Sequence, residues 1–314
     1  MLDALRTLCG VNVQRVDVAR CGLDAVPEGL KGMESVTSLS LTQNPIKSGW
    51  DRLRSLHQLR ELDLDGCGLT EVPAALADMK SMTCQKLSSN PIKSGWERLH
   101  SLRQQQELAL SYCELTELPE ALGGMESMTR LKLNVNPIKS GWERLRLLLQ
   151  LRALELVGCG LTEVPEALGR MESMASLNLS GNHIERGGEN LRQLREVHLS
   201  CCTLTELPKV LAGLESVTRL GFSGNQIEGG WEHLQPLRQL RELSLWRCKL
   251  WEVSAVLGGM ESVTSLDLSG NYIKRGWERL QPLTRLRDLH VAMDNRNVPE
   301  ALNVLTNLKI LSLY

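Results

Sequence analysis

The sequence predicts an α/β solenoid of short repeated coils, each contributing one strand and one short helix or turn. Three observations predict it. First, NPIKSGW at 44–50 returns unchanged at 90–96 and 136–142, and altered copies follow as NHIERGG at 182–188, NQIEGGW at 225–231 and NYIKRGW at 271–277. Second, another phrase lies between these copies: CGLTEVPAALADM at 67–79, CELTELPEALGGM at 113–125 and CGLTEVPEALGRM at 159–171. Cys21, Cys67, Cys113, Cys159, Cys202 and Cys248 each stand 23 residues before an Asn, at 44, 90, 136, 182, 225 and 271, so the unit is about 23 residues and two flavours alternate. Third, one pattern, L-x-x-L-x-L-x-x-[CN]-x-[LI], precedes every such Cys or Asn. Length alone, 314 residues, suggests about two domains, but a fixed period takes precedence over length.

Within one coil the elements follow in order. The L-x-L alternation is the period of a strand with one buried face. A lone strand that short cannot bury its face, and stacking on identical neighbours does so. Asn44 and its equivalents close the strand, where a buried amide can satisfy turning backbone that no sheet reaches. SGWE at 94–97 and 140–143 has the spacing of a capping box, with Ser94 or Ser140 as cap and Glu97 or Glu143 three residues later. A short helix is expected next, with Trp96 and Leu99 facing inward. In the Cys flavour, Pro73, Pro119 and Pro165 suit a first helical position, where a missing N–H costs nothing. The stretch from Asn182 to Cys202 spans 20 residues rather than 23, so that coil is expected to be shorter.

Leu59, Leu62, Leu64, Cys67 and Leu69 fill the pattern, as do Val36, Leu39, Leu41, Asn44 and Ile46, and in this the chain resembles the leucine-rich-repeat family. The alternating 23-residue coils look like its intracellular members. The resemblance implies a horseshoe-shaped solenoid with a concave parallel β-sheet and short helices or turns on the convex side. It covers nearly the whole chain, in about fourteen registers, as a single domain over 1–314, with 2–8 as an N-terminal capping helix. At the other end LTNLKILSLY stops on an open strand, an edge with which a second copy could pair to form a homodimer.

Composition narrows the function. With a net charge of −1 and a pI near 6.6, no excess of cations is available for phosphates, and a nucleic-acid partner is not expected. No stretch is apolar enough to cross a bilayer, the N-terminus lacks the pattern of a secretory signal, and a cytoplasmic location with no membrane partner is expected. Six of the nine cysteines occupy the Asn/Cys position of alternate coils, roughly 10 Å apart at the usual strand spacing. That is too far for disulfides, and the exposed Cys84 and Cys201 suit a reducing compartment. Metal and nucleotide motifs are missing, His198 and His290 fall four strands apart, and neither a cofactor nor a catalytic group is predicted. Gln85 and Gln105 occupy apolar positions in successive coils, where an amide–amide bond is expected. Asp294 and Arg296 interrupt a later coil, so an irregular loop is expected there.

With the scaffold positions explained, function should lie where exposed positions depart from their own repeat. Trp246 stands where neighbouring coils have Ser223 and Ser269, Arg247 between Gly224 and Gly270, Trp251 in place of a repeated Thr, and Tyr272 in place of Pro45, Pro91 and Pro137. Aromatics with arginine are the composition of binding hot spots, so these four are expected to converge as a protein-binding surface, unless Trp246 only shields the glycines beside it. Tyr112 with Val135, on consecutive coils, is a second candidate. The expected function is a non-catalytic module that binds a protein partner on its concave face and rim. By analogy with the family, it would be the recognition part of an intracellular signalling or innate-immune protein. The alternatives are a regulator of a GTPase or the recognition domain of a larger enzyme, and a structural or engineered scaffold.

Overall fold

A computed structural model describes residues 12–184, 191–292 and 299–313. The helix expected at 2–8 and the irregular loop expected around Asp294 and Arg296 lie outside the described residues. The chain divides into two compact units, Met1–Cys159 and Gly160–Tyr314.

The first unit carries β1 (Arg15–Asp17), β2 (Ser38–Ser40), β3 (Glu61–Asp63), β4 (Cys84–Lys86), β5 (Glu107–Ala109), β6 (Arg130–Lys132) and β7 (Ala153–Glu155). Each is parallel to the next in chain order, and Leu39, Leu62, Gln85, Leu108, Leu131 and Leu154 lie opposite one another in one buried row. The second unit carries β8 (Ser176–Asn178), β9 (Glu196–His198), β10 (Arg219–Gly221), β11 (Glu242–Ser244), β12 (Ser265–Leu268), β13 (Asp288–Val291) and β14 (Ile310–Leu313), again parallel to their neighbours. Ser176 pairs with Glu196, a step of 20 residues, whereas Glu196 to Arg219 is 23; the short coil is therefore short in the structure.

The repeated Asn binds coil to coil. Asn90 is fully buried; its Oδ1 accepts from Leu69 N at 2.9 Å, and its Nδ2 donates to the carbonyls of Leu64, Leu87 and Ser88 at 2.8, 2.8 and 3.1 Å. One side chain thus closes its own strand and ties it to the preceding coil, in groups that a three-residue strand leaves unpaired. Cys67 and Cys113 occupy the same place more weakly, their thiols donating to Leu41 O at 3.2 Å and Leu87 O at 3.3 Å. Burial pushes both thiols up to about 11, so they stay protonated donors.

Opposite the strands lie short 3₁₀ helices such as Trp50–Ser55, Trp96–Leu99 and Trp142–Leu147. The capping box expected at SGWE does not form. Gly95 is the residue before the helix, at φ 81°, with no side-chain cap, and Ser94 is instead bridged to Glu71. A Cβ on Gly95 would meet Val72 O at 3.0 Å, so both the left-handed turn and the close approach require glycine there. Leu99 is buried and Trp96 half-buried, as the helix face predicts. The arginine of each turn reaches back instead: Arg52, Arg98 and Arg144 donate to the carbonyls of Val26, Val72 and Leu118. Pro73, Pro119 and Pro165 stand one place before the first helical residue.

One core expectation fails. Gln85 and Gln105 are both fully buried, yet no amide–amide bond joins them. Gln105 Nε2 donates instead to Glu107 O at 2.5 Å, which leaves Gln105 Oε1 and both polar atoms of Gln85 without a partner.

A candidate binding rim in the second unit

Just past each strand, the residue before the Asn or Cys adopts left-handed backbone. Gly66, Gly158, Gly181, Gly224 and Gly270 fill this place in five coils; Arg20, Gln43, Ser89, Tyr112, Val135, Cys201 and Arg247 fill it in others, at φ between 52° and 58°. Glycine is at ease there, whereas a β-carbon costs about 1–2 kcal/mol. Arg247, at φ 52°, holds that conformation against this cost.

Arg247 packs over its neighbour, with its guanidinium carbon 4.4 Å from the centre of a Trp246 ring. Their backbone is pinned on both sides: Arg247 N donates to Ser269 O at 2.9 Å and Trp246 O accepts from Gly224 N at 2.7 Å. A β-carbon on Gly270 would lie 2.6 Å from Arg247 Cγ and 3.3 Å from Trp246 Nε1, so the pair also rests against Gly270. Even so, Trp246 keeps 38% of its surface exposed. The indole thus covers Gly270 and still presents an outer surface.

Trp251 forms a second pair of the same kind. It is 58% exposed, and Arg275 stacks 4.3 Å from the centre of one of its rings. Glu252 fixes that arginine, Arg275 Nε to Glu252 Oε2 being 2.8 Å. Arg279 holds Glu252 from the other side at 3.7 Å while donating to Val253 O at 2.5 Å. Tyr272 is 65% exposed, with its backbone N donating to Leu250 O at 2.8 Å.

The four residues singled out in the sequence therefore do not merge into one aromatic cluster. Between the two tryptophans the chain turns twice through left-handed residues, Arg247 and Lys249, which carries Trp251 beyond the strand exit where Trp246 sits. No ring contact joins the two pairs among the described residues. Arg275 was missed, although the signal was present: it replaces the Ser of NPIKSGW in the coil after Trp251. In the first unit, Tyr112 and Val135 occupy equivalent left-handed places, 58% and 39% exposed.

Residues 58–79 match the family model for the Leucine Rich Repeat. No curated protein matches the chain by sequence. Among solved structures, a leucine-rich-repeat protein of Leptospira interrogans superposes with a TM-score of 0.78 at 22% identity, over 100% of this chain and 86% of that one. The fold is a leucine-rich-repeat solenoid. An internalin of Listeria monocytogenes shares the solenoid with a TM-score of 0.73 at 20% identity, over 99% of this chain and 88% of that one. TLR13, solved in complex with ssRNA13, does so with a TM-score of 0.74 at 19% identity. The alignment there covers 100% of this chain and 48% of TLR13, so the solenoid spans about half of that receptor.

These comparisons correct two expectations. Exclusion of a nucleic-acid partner fails, because the same solenoid is seen with RNA in TLR13. Net charge sums over the whole surface and is blind to where cations gather. The cytoplasmic assignment fails as well, since the internalin and TLR13 are surface or membrane-anchored proteins. The cysteines were a poor guide: those of the ladder stand too far apart to pair in any compartment, and Cys84, expected to be exposed, is half-buried, which leaves Cys201 as the one exposed thiol among the described residues. No helix among the described residues is long and apolar enough to cross a membrane. No group of three or more His, Cys, Asp or Glu among them is placed to hold a metal ion. Solenoids of this kind typically mediate protein–protein interactions, as non-catalytic scaffolds.

Proposed function

We propose that this solenoid recognises a protein partner through the rim of its second unit, as the recognition part of a signalling or innate-immune protein. Trp246 with Arg247 and Trp251 with Arg275 are the anchors, and Tyr272 extends the surface beside them. The observation that carries this reading is the pairing itself. Each of the two exposed tryptophans has one arginine held against it, and Arg275 is further fixed by Glu252. Rings ordered before binding lose little freedom on association, and Trp and Arg dominate measured hot spots. Tyr112 and Val135 form a lesser surface on the first unit.

The test compares wild type with a Trp246→Ala, Trp251→Thr double variant for capture of a protein partner, with a single-stranded RNA arm alongside because TLR13 is seen with one. Both substitutions are at exposed positions, so the unfolding midpoint should not move. Loss of two hot-spot tryptophans should weaken a protein complex by about thirtyfold or more. Unchanged affinity would remove the rim from the interface, and RNA binding lost in place of protein binding would reassign its ligand.

A further inference from the structure

At the opposite, amino-terminal ends of the strands, the second unit gathers cations that nothing in the fold uses. LRQLREL at 237–243 and LTRLRDL at 283–289 place arginines just before β11 and β13, while the coil between them brings ESVTS at 261–265. The backbone sets them in a row. Arg241 O accepts from Thr264 N at 2.8 Å, Thr264 O from Arg287 N at 2.8 Å, and Arg287 O from Lys309 N at 2.7 Å. Arg241 and Arg287 are two coils apart, roughly 10 Å at the usual strand spacing, with the short Thr264 between them. Together with Arg238, Arg285 and Ser262 they line a concavity of about 750 Å³.

All four arginines are exposed, and none has a carboxylate partner among the described residues. Their neighbours on other coils do. Arg219 pairs with Glu196 at 2.6 Å, Arg275 with Glu252 at 2.8 Å, and Arg279 with Glu252 at 3.7 Å. Glu242, next to Arg241 in sequence, lines the hollow on the sheet face together with Arg219 instead. The notch thus offers guanidinium forks and the Ser262 hydroxyl, with no carboxylate in its lining, while Thr264 Oγ1 donates to Arg241 O at 3.2 Å and Asn307 Nδ2 to Thr284 O at 2.7 Å. Such a donor-rich, acceptor-poor site suits phosphoryl oxygens, which arginine meets with two parallel hydrogen bonds. Two arginines on each side call for more than one phosphoryl group. No aromatic ring lines the notch, so bases of a single strand would have nothing to stack on.

We propose that this notch binds a compact oligophosphate, with adjacent phosphoryl groups bridging Arg238 and Arg241 on one side and Arg285 and Arg287 on the other. The test is calorimetric titration of the full chain with inorganic tripolyphosphate, orthophosphate and a single-stranded RNA oligonucleotide. Saturable one-to-one binding of tripolyphosphate is expected, with orthophosphate at least about tenfold weaker. Arg241→Ser with Arg287→Ser should lower the tripolyphosphate affinity by about tenfold or more, and Arg238→Ser with Arg285→Ser should do the same. Arg60→Ser with Arg152→Ser, exposed arginines at the same coil position in the first unit, should leave it unchanged. No saturable binding to wild type overturns the proposal. So does an equal loss in the Arg60, Arg152 control, which would mean diffuse attraction only, or RNA binding more tightly than tripolyphosphate through the same four arginines.

Discussion

The two units are built on one coil and depart from it in opposite directions. In the first the sharpest departures point inward: Gln85 and Gln105 sit fully buried with three polar atoms unpartnered, and Tyr112 and Val135 are its lesser outward ones. In the second the equivalent inward positions are apolar, with Leu243 opposite Leu220 and Leu266, and the outward positions carry Trp246, Arg247, Trp251, Tyr272 and the arginine row. A solenoid permits both because each coil borrows its core from its neighbours. A polar defect in one coil is held in place by the coils on either side, and an outward side chain is released from any packing duty. Divergence outward over an intact core is therefore the mark of a binding surface, and divergence inward marks a tolerated fault.

The largest expected effect tests the inward half of that contrast. An unsatisfied buried polar atom costs about 1–3 kcal/mol, so Gln85→Leu with Gln105→Leu should stabilise the chain by about 3 kcal/mol, after the loss of the Gln105 bond to Glu107 O. Chemical denaturation reads this as a higher midpoint with an unchanged slope. If stability does not rise, the amides are satisfied by internal water, and the first unit has no fault to contrast with the second.

How much of this was legible in the sequence follows from the same division. The strands and the Asn ladder were, since L-x-L and the 23-residue step recur often enough to fix the register. The turns were read less well. SGWE looks like a capping box, but Gly95 lies so close to Val72 that the chain turns on glycine instead. Gln105 chose the backbone of its own coil over the Gln85 amide, a rotamer decision that spacing does not reveal. Trp246 and Trp251 were visible as departures. Arg275 went unread because its role, covering Trp251, appears only when neighbouring coils are stacked. The arginine row was hidden by a net charge of −1, which averages it away.

A middle-sized effect compares one coil position in both units. Two residues before the left-handed turn's Cys, the first unit has Asp65 and the second has Trp246. Burial, with the charge of Asp63 adding to it, raises the Asp65 carboxyl to about 6, even though Ser88 N donates to it at 2.6 Å. A carboxyl that holds its proton more tightly folded than unfolded stabilises the fold when protonated. Stability should therefore fall as pH rises from about 4 to about 6 and stay lower above that. After discounting for partial exposure, the loss is on the order of 1 kcal/mol. Asp65→Asn keeps the acceptor for Ser88 N and removes the charge, so it should raise the melting temperature at pH 7 and flatten the profile between pH 4 and 6. An unchanged profile would mean that water reaches this carboxyl, and that the place occupied by Trp246 is not intrinsically apolar.

The smallest effect separates strain kept for binding from strain merely tolerated. Val135 and Arg247 hold the same left-handed place, at φ 55° and 52°, where Gly158 and Gly270 serve in the following coils. Replacing either by glycine relieves about 1–2 kcal/mol of backbone strain and returns about 0.5–1 kcal/mol in unfolded-chain entropy, a net gain of roughly 0.5 kcal/mol. Thermal unfolding should register that gain for both variants, yet their binding should differ. Arg247→Gly removes the cation over Trp246 and should weaken the partner complex, whereas Val135→Gly should leave it intact. Should Val135→Gly weaken it too, the Tyr112–Val135 surface belongs to the interface, and the strain at that place is functional in both units.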